Sequence, residues 1–173
     1  MKKILFSIIA LFTCVFAHSQ ITDVDGIYYR LLEDTTVANT NGLTAAVFTK
    51  GDLDHYKGNI TIPSSVVIGS TEYPVTTITE MAFRGCSQLT SISIPASVIR
   101  IPSGAFYGCS NLTTITVDSG NSVYDSRESC NAVVETATNT IIAGCKNSTF
   151  PTSVSTIGEC AFYGCMGITS FTI

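Results

Sequence analysis

Few residues in this 173-residue chain could do chemistry, and their placement limits what that chemistry could be. Two histidines and seven cysteines are present. His18 and Cys14 fall within the first 19 residues, which leaves His55 and six thiols for the remainder. A Cys-His dyad needs a thiolate beside an imidazole, with a third group orienting the base. His55 stands in the polar stretch Gly51-Asp52-Leu53-Asp54-His55-Tyr56, no nucleophile motif surrounds any cysteine, and a solvated loop is the expected setting. Asp52, Asp54 and His55 could approach a divalent ion, but their spacing fits neither a calcium loop nor a tetrahedral zinc site. Phosphate-loop, G-x-S-x-G and paired-carboxylate patterns do not occur. The sequence therefore points to no catalytic residue, no cofactor and no metal, and to a protein that is not an enzyme.

The thiols take their meaning from a repeat. Cys86, Cys109 and Cys165 each close an Ala-Phe-x-Gly-Cys segment, at 82–86, 105–109 and 161–165. Five residues before each Phe stands Ile78, Ile101 or Ile157, and upstream lie Pro-x-Ser-Val segments beginning at Pro63, Pro95 and Pro151. Downstream run Leu89, Ile92, Ile94, then Leu112, Ile115, Val117, then Ile168, Phe171, Ile173. The first two copies are 23 residues apart (Phe83 to Phe106) and the third follows after 56, which is 23 plus an insertion of 33. A period of 23 is that of a leucine-rich repeat. Alternation in Leu112-Thr-Thr-Ile-Thr-Val117 predicts a half-buried strand with hydroxyls on the other face. One coil cannot bury its apolar row alone, so successive coils must stack and align the Phe and Ile positions into ladders. At this repeat position the thiols read as small buried hydrophobes.

The unit Pro-x-Ser-Val through Ala-Phe-x-Gly-Cys to Leu-Thr-x-Ile-x-Ile resembles the BspA-like branch of leucine-rich-repeat surface proteins, over residues 60 to 173. The resemblance implies a right-handed, β-rich leucine-rich-repeat solenoid of short strands with helical or 3-10 turns. It also implies export and the binding of host or cell-surface protein or glycan, with no reaction attached to the repeat.

The elements outside the repeat fit that expectation. Lys2-Lys3, the apolar run Ile4 to Phe16 and the small-residue exit Ala17-His18-Ser19 read as a secretory signal peptide, so residues 1–19 are expected to be removed and the product to be secreted or held at the cell surface. Phe12-Thr13 are poor lipobox residues before Cys14. Without Lys2 and Lys3 the nine basic residues fall to seven against thirteen acidic, a net charge of −6, which disfavours nucleic acid as a partner. No later stretch approaches the roughly 20 apolar residues of a transmembrane helix.

Residues 20–59 lack the repeat pattern. Strands expected at Gly26 to Leu32 and Leu43 to Thr49, around the turn Asn39-Thr40-Asn41-Gly42, suggest a small N-terminal β cap on the first coil. The insertion near 118–147 carries a hairpin signal, Ala132 to Glu135 and Thr140 to Ala143 about Thr138-Asn139. It is expected to project from the coil, with Tyr124, Arg127, Glu128 and Glu135 available for contacts or serving as padding. Cys130 and Cys145 flank it and could form a disulfide, although a two-residue turn would pair Ala132 with Cys145 and leave Cys130 diagonally placed.

Two ladders emerge as candidate binding sites. Ser91, Ser93, Thr114, Thr116, Ser170 and Thr172 would line an uncharged hydroxyl face, able to donate and accept, or would merely be good solvated strand residues. Arg84, Tyr107 and Tyr163, each one residue past a repeat Phe, would form an aromatic and cationic column. The competing reading is a structural spacer whose open C-terminal edge associates edge to edge with another chain.

Overall fold

The computed structural model describes residues 21–34, 42–49, 51, 55–166 and 168. The leader, most of the turn at 39–42, Asp52, Asp54, Ser170 and Thr172 lie outside the described residues. Twelve strands are described: β1 (Ile21–Val24), β2 (Ile27–Glu33), β3 (Leu43–Val47), β4 (Gly58–Thr61), β5 (Ser65–Ile68), β6 (Thr71–Ile78), β7 (Leu89–Ile94), β8 (Thr114–Val117), β9 (Tyr124–Asp125), β10 (Ala132–Glu135), β11 (Thr140–Gly144) and β12 (Thr156–Ile157). They form three sheets, ordered β1-β2-β3-β6-β5, β4-β7-β8 and β12-β11-β10-β9.

The expected repeat strands pair in parallel with their neighbours. Ile60, Ile92 and Ile115 share one rung across β4, β7 and β8, and Thr61, Ser93 and Thr116 share the next. Ile92 and Ile115 are buried while the hydroxyl residues between them face outward, as alternation requires. The strand β4 was hidden in the sequence. Ile60-Thr61-Ile62-Pro63 matches Ile92-Ser93-Ile94-Pro95, but no Ala-Phe-x-Gly-Cys precedes it. Tyr56-Lys57-Gly58 stands there instead, directly ahead of and into β4.

The turn segments stack through backbone hydrogen bonds: Phe83 N donates to Ala105 O (2.9 Å), Gly85 N to Tyr107 O (2.7 Å) and Gly108 N to Tyr163 O (3.1 Å). They are hydrogen-bonded turns rather than helical turns. Met81, Gly104 and Cys160, all two residues before the Phe, have positive φ (57°, 78° and 57°), and so do Gly85, Gly108 and Gly164 (69°, 78° and 81°). A left-handed residue at each end prevents helical propagation. The described 3-10 turn is elsewhere, at Arg127–Ser129.

The aromatic ladder is real in part. Phe83 and Phe106 stack with centroids 5.2 Å apart and planes 10° apart, and Tyr56 extends the row on the other side at 4.7 Å from Phe83. Phe162 instead belongs to a second apolar cluster, with Cys130, Ala132, Val134, Ile141 and Ala161, and packs 5.5 Å from Phe150. The hairpin causes this departure. A Cβ on Gly144 of β11 would lie 2.0 Å from the Phe162 ring, so Phe162 occupies the space a glycine in that strand leaves open.

The hairpin therefore does not project. β10 and β11 sit inside the third sheet between β9 and β12, and Ala132, Val133, Val134 and Ile141 are fully buried. A strand buried on both faces has no polar alternation to show, which is how Ala-Val-Val should have been read. Tyr124, expected to be available for contacts, is buried, and its hydroxyl accepts from Ile101 N at 3.0 Å. The register pairs Ala132 with Gly144 rather than Cys145: the four-residue turn at 136–139 moves the pairing by two positions, and a bulge between Val133 and Val134, which leaves Ile142 unpaired, moves it back by one.

Toward the N-terminus, β2 and β3 appear where expected, with Glu33 opposite Leu43. Pro63 to Phe83 spans 20 positions where Pro95 to Phe106 spans 11, and the nine extra residues fall within the β5–β6 hairpin, whose β6 pairs in parallel with β3. One sheet thus crosses the expected boundary between the N-terminal unit and the repeat. Tyr56 fastens the same junction: its hydroxyl donates to Phe48 O (2.8 Å) and accepts from Tyr28 N (3.1 Å).

Candidate functional site

The outward face of β4-β7-β8 gathers the hydroxyl residues. Asn59, Ser91 and Thr114 form one row, and Thr61, Ser93 and Thr116 the next. Within the first row, Ser91 Oγ donates to Asn59 Oδ1 (2.7 Å), as does Thr90 Oγ1 (3.0 Å). In the second, Thr116 Oγ1 donates to Ser93 Oγ (3.0 Å). Asn59 and Thr61 were missed because β4 was missed, and the Ile-Thr-Ile-Pro segment was the signal that could have found them. Ser170 and Thr172, read as a further rung, lie outside the described residues.

At the C-terminal ends of these strands lies a depression of about 520 Å³, bordered by Thr61, Ser93 and Thr116 with Pro95, Ala96 and Asp118. Gly120 N donates to Asp118 Oδ1 (2.8 Å) and fixes the carboxylate. Just beyond, buried Asn121 satisfies four backbone groups. Its Nδ2 donates to Pro95 O (3.0 Å) and Val98 O (2.8 Å), while its Oδ1 accepts from Val123 N and Tyr124 N (both 2.9 Å).

The second ladder also assembles. Tyr107 and Tyr163 stack at 3.8 Å with planes 15° apart, and the Arg84 guanidinium carbon stands 5.8 Å from the Tyr107 ring. A side-chain hydrogen bond to Tyr163 raises the Tyr107 phenol above its ordinary value.

The insertion is pinned rather than presented. Arg127 pairs with Asp125 (Nη2 to Oδ2, 2.8 Å) and donates from Nη1 to Asn139 Oδ1 (2.8 Å) and Ser153 Oγ (3.3 Å), joining the third sheet, the hairpin turn and the next repeat. Glu128 is exposed beside it, and Glu135 is half-buried, accepting from Thr138 Oγ1 (2.6 Å).

All six described cysteines are free thiols. Cys130 Sγ donates to Ala132 O (3.7 Å) and Cys145 Sγ to Asn131 O (3.1 Å), so the disulfide allowed by their spacing is not formed here. Cys109 Sγ reaches back to Phe83 O of the preceding repeat (3.0 Å). Cysteine at this position is both a small apolar filler and a donor to a carbonyl of the neighbouring coil. Burial pushes the thiols of Cys109, Cys130 and Cys145 up, and that of Cys165 up to about 11. His55, expected in a solvated loop, packs its ring 4.2 Å from Tyr56 and 5.8 Å from Tyr28. The next residue, Tyr56, and Tyr28 of β2 supply these aromatic contacts. Among the described residues no three His, Cys, Asp or Glu side chains converge as a metal site, and no helix is long and apolar enough to cross a membrane.

The stacked, 23-residue units are matched by the family model for the BspA type leucine rich repeat region, in six copies over residues 58–173. The chain belongs to this family. Six copies, where the Ala-Phe-x-Gly-Cys segment marks three, accord with repeat units such as β4 that lack that segment. No match was found among curated proteins. Of solved structures, a leucine-rich repeat protein from Eubacterium ventriosum is similar at 23% identity and TM-score 0.54, over 67% of this chain and 29% of that one. One from Bacteroides ovatus is similar at 24% and 0.52, over 83% and 33%. Another, from Bacteroides capillosus, is similar at 22% and 0.50, over 87% and 96%. At these identities the BspA-type chain shares a fold with them. It spans about a third of the length of the first two.

Proposed function

We propose that this BspA-type chain is an exported, non-catalytic binding module, displayed at the cell surface or secreted, that engages extracellular protein or glycan through the β4-β7-β8 face. In this reading residues 1–19 are a signal peptide, β1 to β3 cap the first coil, and the repeats wind as a right-handed solenoid. The observation that carries the proposal is the shared rung of Thr61, Ser93 and Thr116, which places side-chain hydroxyls from three repeats side by side on one uncharged sheet face. Hydroxyls that each contribute weakly gain strength when several are engaged at once. Burial supports the non-catalytic part, since thiols held protonated at neutral pH are poor nucleophiles. Replacing both Thr114 and Thr116 by Lys tests the reading. Binding of the purified protein to intact host cells should fall, and binding unchanged by the pair of lysines would remove the sheet face from the site.

One observation favours a second reading, a structural spacer or self-assembly unit in which another chain covers the face at Ile157. The repeat Ile is buried at Ile78 (0%) and Ile101 (6%) but 42% exposed at Ile157, next to an apolar groove of about 570 Å³ lined by Phe150, Pro151 and Val154. A monodisperse monomer at high concentration would dismiss self-association through this face.

A further inference from the structure

We infer that the depression at the C-terminal ends of β4, β7 and β8 is a subsite for one neutral, hydroxyl-rich sugar ring of a glycan. The inference rests on the binding-module reading above and names the ligand class for that face. Its volume of about 520 Å³ falls within the range of small-molecule sites, roughly 300–1,000 Å³.

The polar groups around the depression have unused capacity in a fixed order. Thr61 Oγ1 has no hydrogen-bond partner among the described residues, so it can both donate and accept. Ser93 Oγ accepts from Thr116 Oγ1 at 3.0 Å, which leaves its own proton free to point outward. Asp118 has one oxygen held by Gly120 N at 2.8 Å and the other unclaimed, with no salt bridge to it among the described residues. A free hydroxyl, a free proton and a fixed carboxylate oxygen thus stand around one concavity. Strands about 4.8 Å apart set the spacing of the hydroxyls.

A sugar ring matches this set because each of its hydroxyls donates and accepts. Pro95 and Ala96 supply an apolar wall for the C–H face of the ring. The charge pattern decides against the alternatives. Asp118 is the charged residue on the border, so an anionic sugar meets repulsion with no cation to offset it. A peptide strand would need a backbone ladder, which outward-facing hydroxyl side chains do not provide.

The test is saturation-transfer NMR on the purified full chain at millimolar ligand, with neutral tetrasaccharides of glucose and of mannose, a tetragalacturonate, and the variants Thr61→Val, Ser93→Ala and Asp118→Asn. All three residues carry outward side chains, so the variants should fold, and far-UV circular dichroism checks this. The expected result is transfer to a neutral tetrasaccharide, little to the galacturonate, and a loss of affinity of about three- to tenfold for each lost hydrogen bond. Absence of transfer from both neutral sugars, preference for the galacturonate, or affinity unchanged in all three variants would overturn the inference. If host cells are still bound in a Thr114- and Thr116-dependent manner while no neutral sugar binds, the ligand class is wrong and the binding-module reading survives.

Discussion

Among the described glycines, Gly164 is packed most tightly against the main chain of another repeat, and it gives the sharpest test of the stacking. A Cβ there would sit 2.7 Å from the Gly108 Cα and 3.1 Å from its nitrogen, with φ at +81°. Gly108 has a similar φ of +78°, but its Cβ would meet Gly85 at an ordinary 3.5 Å. Gly104, also at +78°, has nothing within 4 Å. The three alanine variants therefore separate backbone conformation from steric contact. Gly104→Ala and Gly108→Ala should each cost about 1 kcal/mol, the penalty for a left-handed alanine. Gly164→Ala adds an overlap that only main-chain movement can relieve, about 1–3 kcal/mol. It also weakens the Gly108 N to Tyr163 O hydrogen bond, worth about 1 kcal/mol. Its total is about 3–5 kcal/mol. The chain has no tryptophan, so urea unfolding is followed by far-UV circular dichroism and tyrosine fluorescence. A Gly164→Ala cost within about 0.5 kcal/mol of that for Gly104→Ala would refute direct backbone stacking of these turns.

Four further outcomes follow from the buried polar groups and thiols. Asn121→Ala strands two carbonyls and two amides and should cost at least about 3 kcal/mol in urea unfolding. Tyr56→Phe keeps the ring in the aromatic row but removes the bridge between Phe48 O and Tyr28 N, so a loss of about 1–3 kcal/mol is expected by the same assay. The folded thiols of Cys109 and Cys165 lie above the unfolded value of about 8.5. Their contribution is complete below about pH 8.5 and is lost as pH rises, so the urea midpoint should fall from pH 8 to pH 10 and fall less in a Cys109→Ala, Cys165→Ala variant. In native protein at pH 8 a thiol reagent should label exposed Cys160 first, and Cys86, Cys109, Cys130 and Cys145 only on unfolding.

The repeat strands and the hydroxyl rows were legible because each depends on local pattern: alternation sorts Ile92 and Ile115 from Ser91, Ser93, Thr114 and Thr116, and the Phe-x-Gly segments mark the turns. What escaped depends on contacts between distant segments. The unit of β4 lacks the motif, since Tyr56 stands in place of its Phe and joins the aromatic row only through contact with Phe83. The hairpin register was displaced by a four-residue turn and partly restored by the bulge at Val133, and a bulge leaves no mark in a run such as Ile-Ile-Ala-Gly. Asn121 and Asp118 stand in the turn-forming run Asp118-Ser-Gly-Asn121, where a polar residue is expected whether or not it is buried. The missing disulfide has a related cause, because each thiol is turned toward a different carbonyl.

The insertion has a geometric effect on the molecule. Tyr107 lies directly against Tyr163, so the turn side advances by one step between these two repeats. Across the same interval β10 and β11 are wedged between β9 and β12. Two added strands take up about 10 Å. The insertion thus adds strands to the sheet side between these repeats while their turns stay in direct contact through the tyrosine pair, so removing the hairpin would take away sheet without parting the turns.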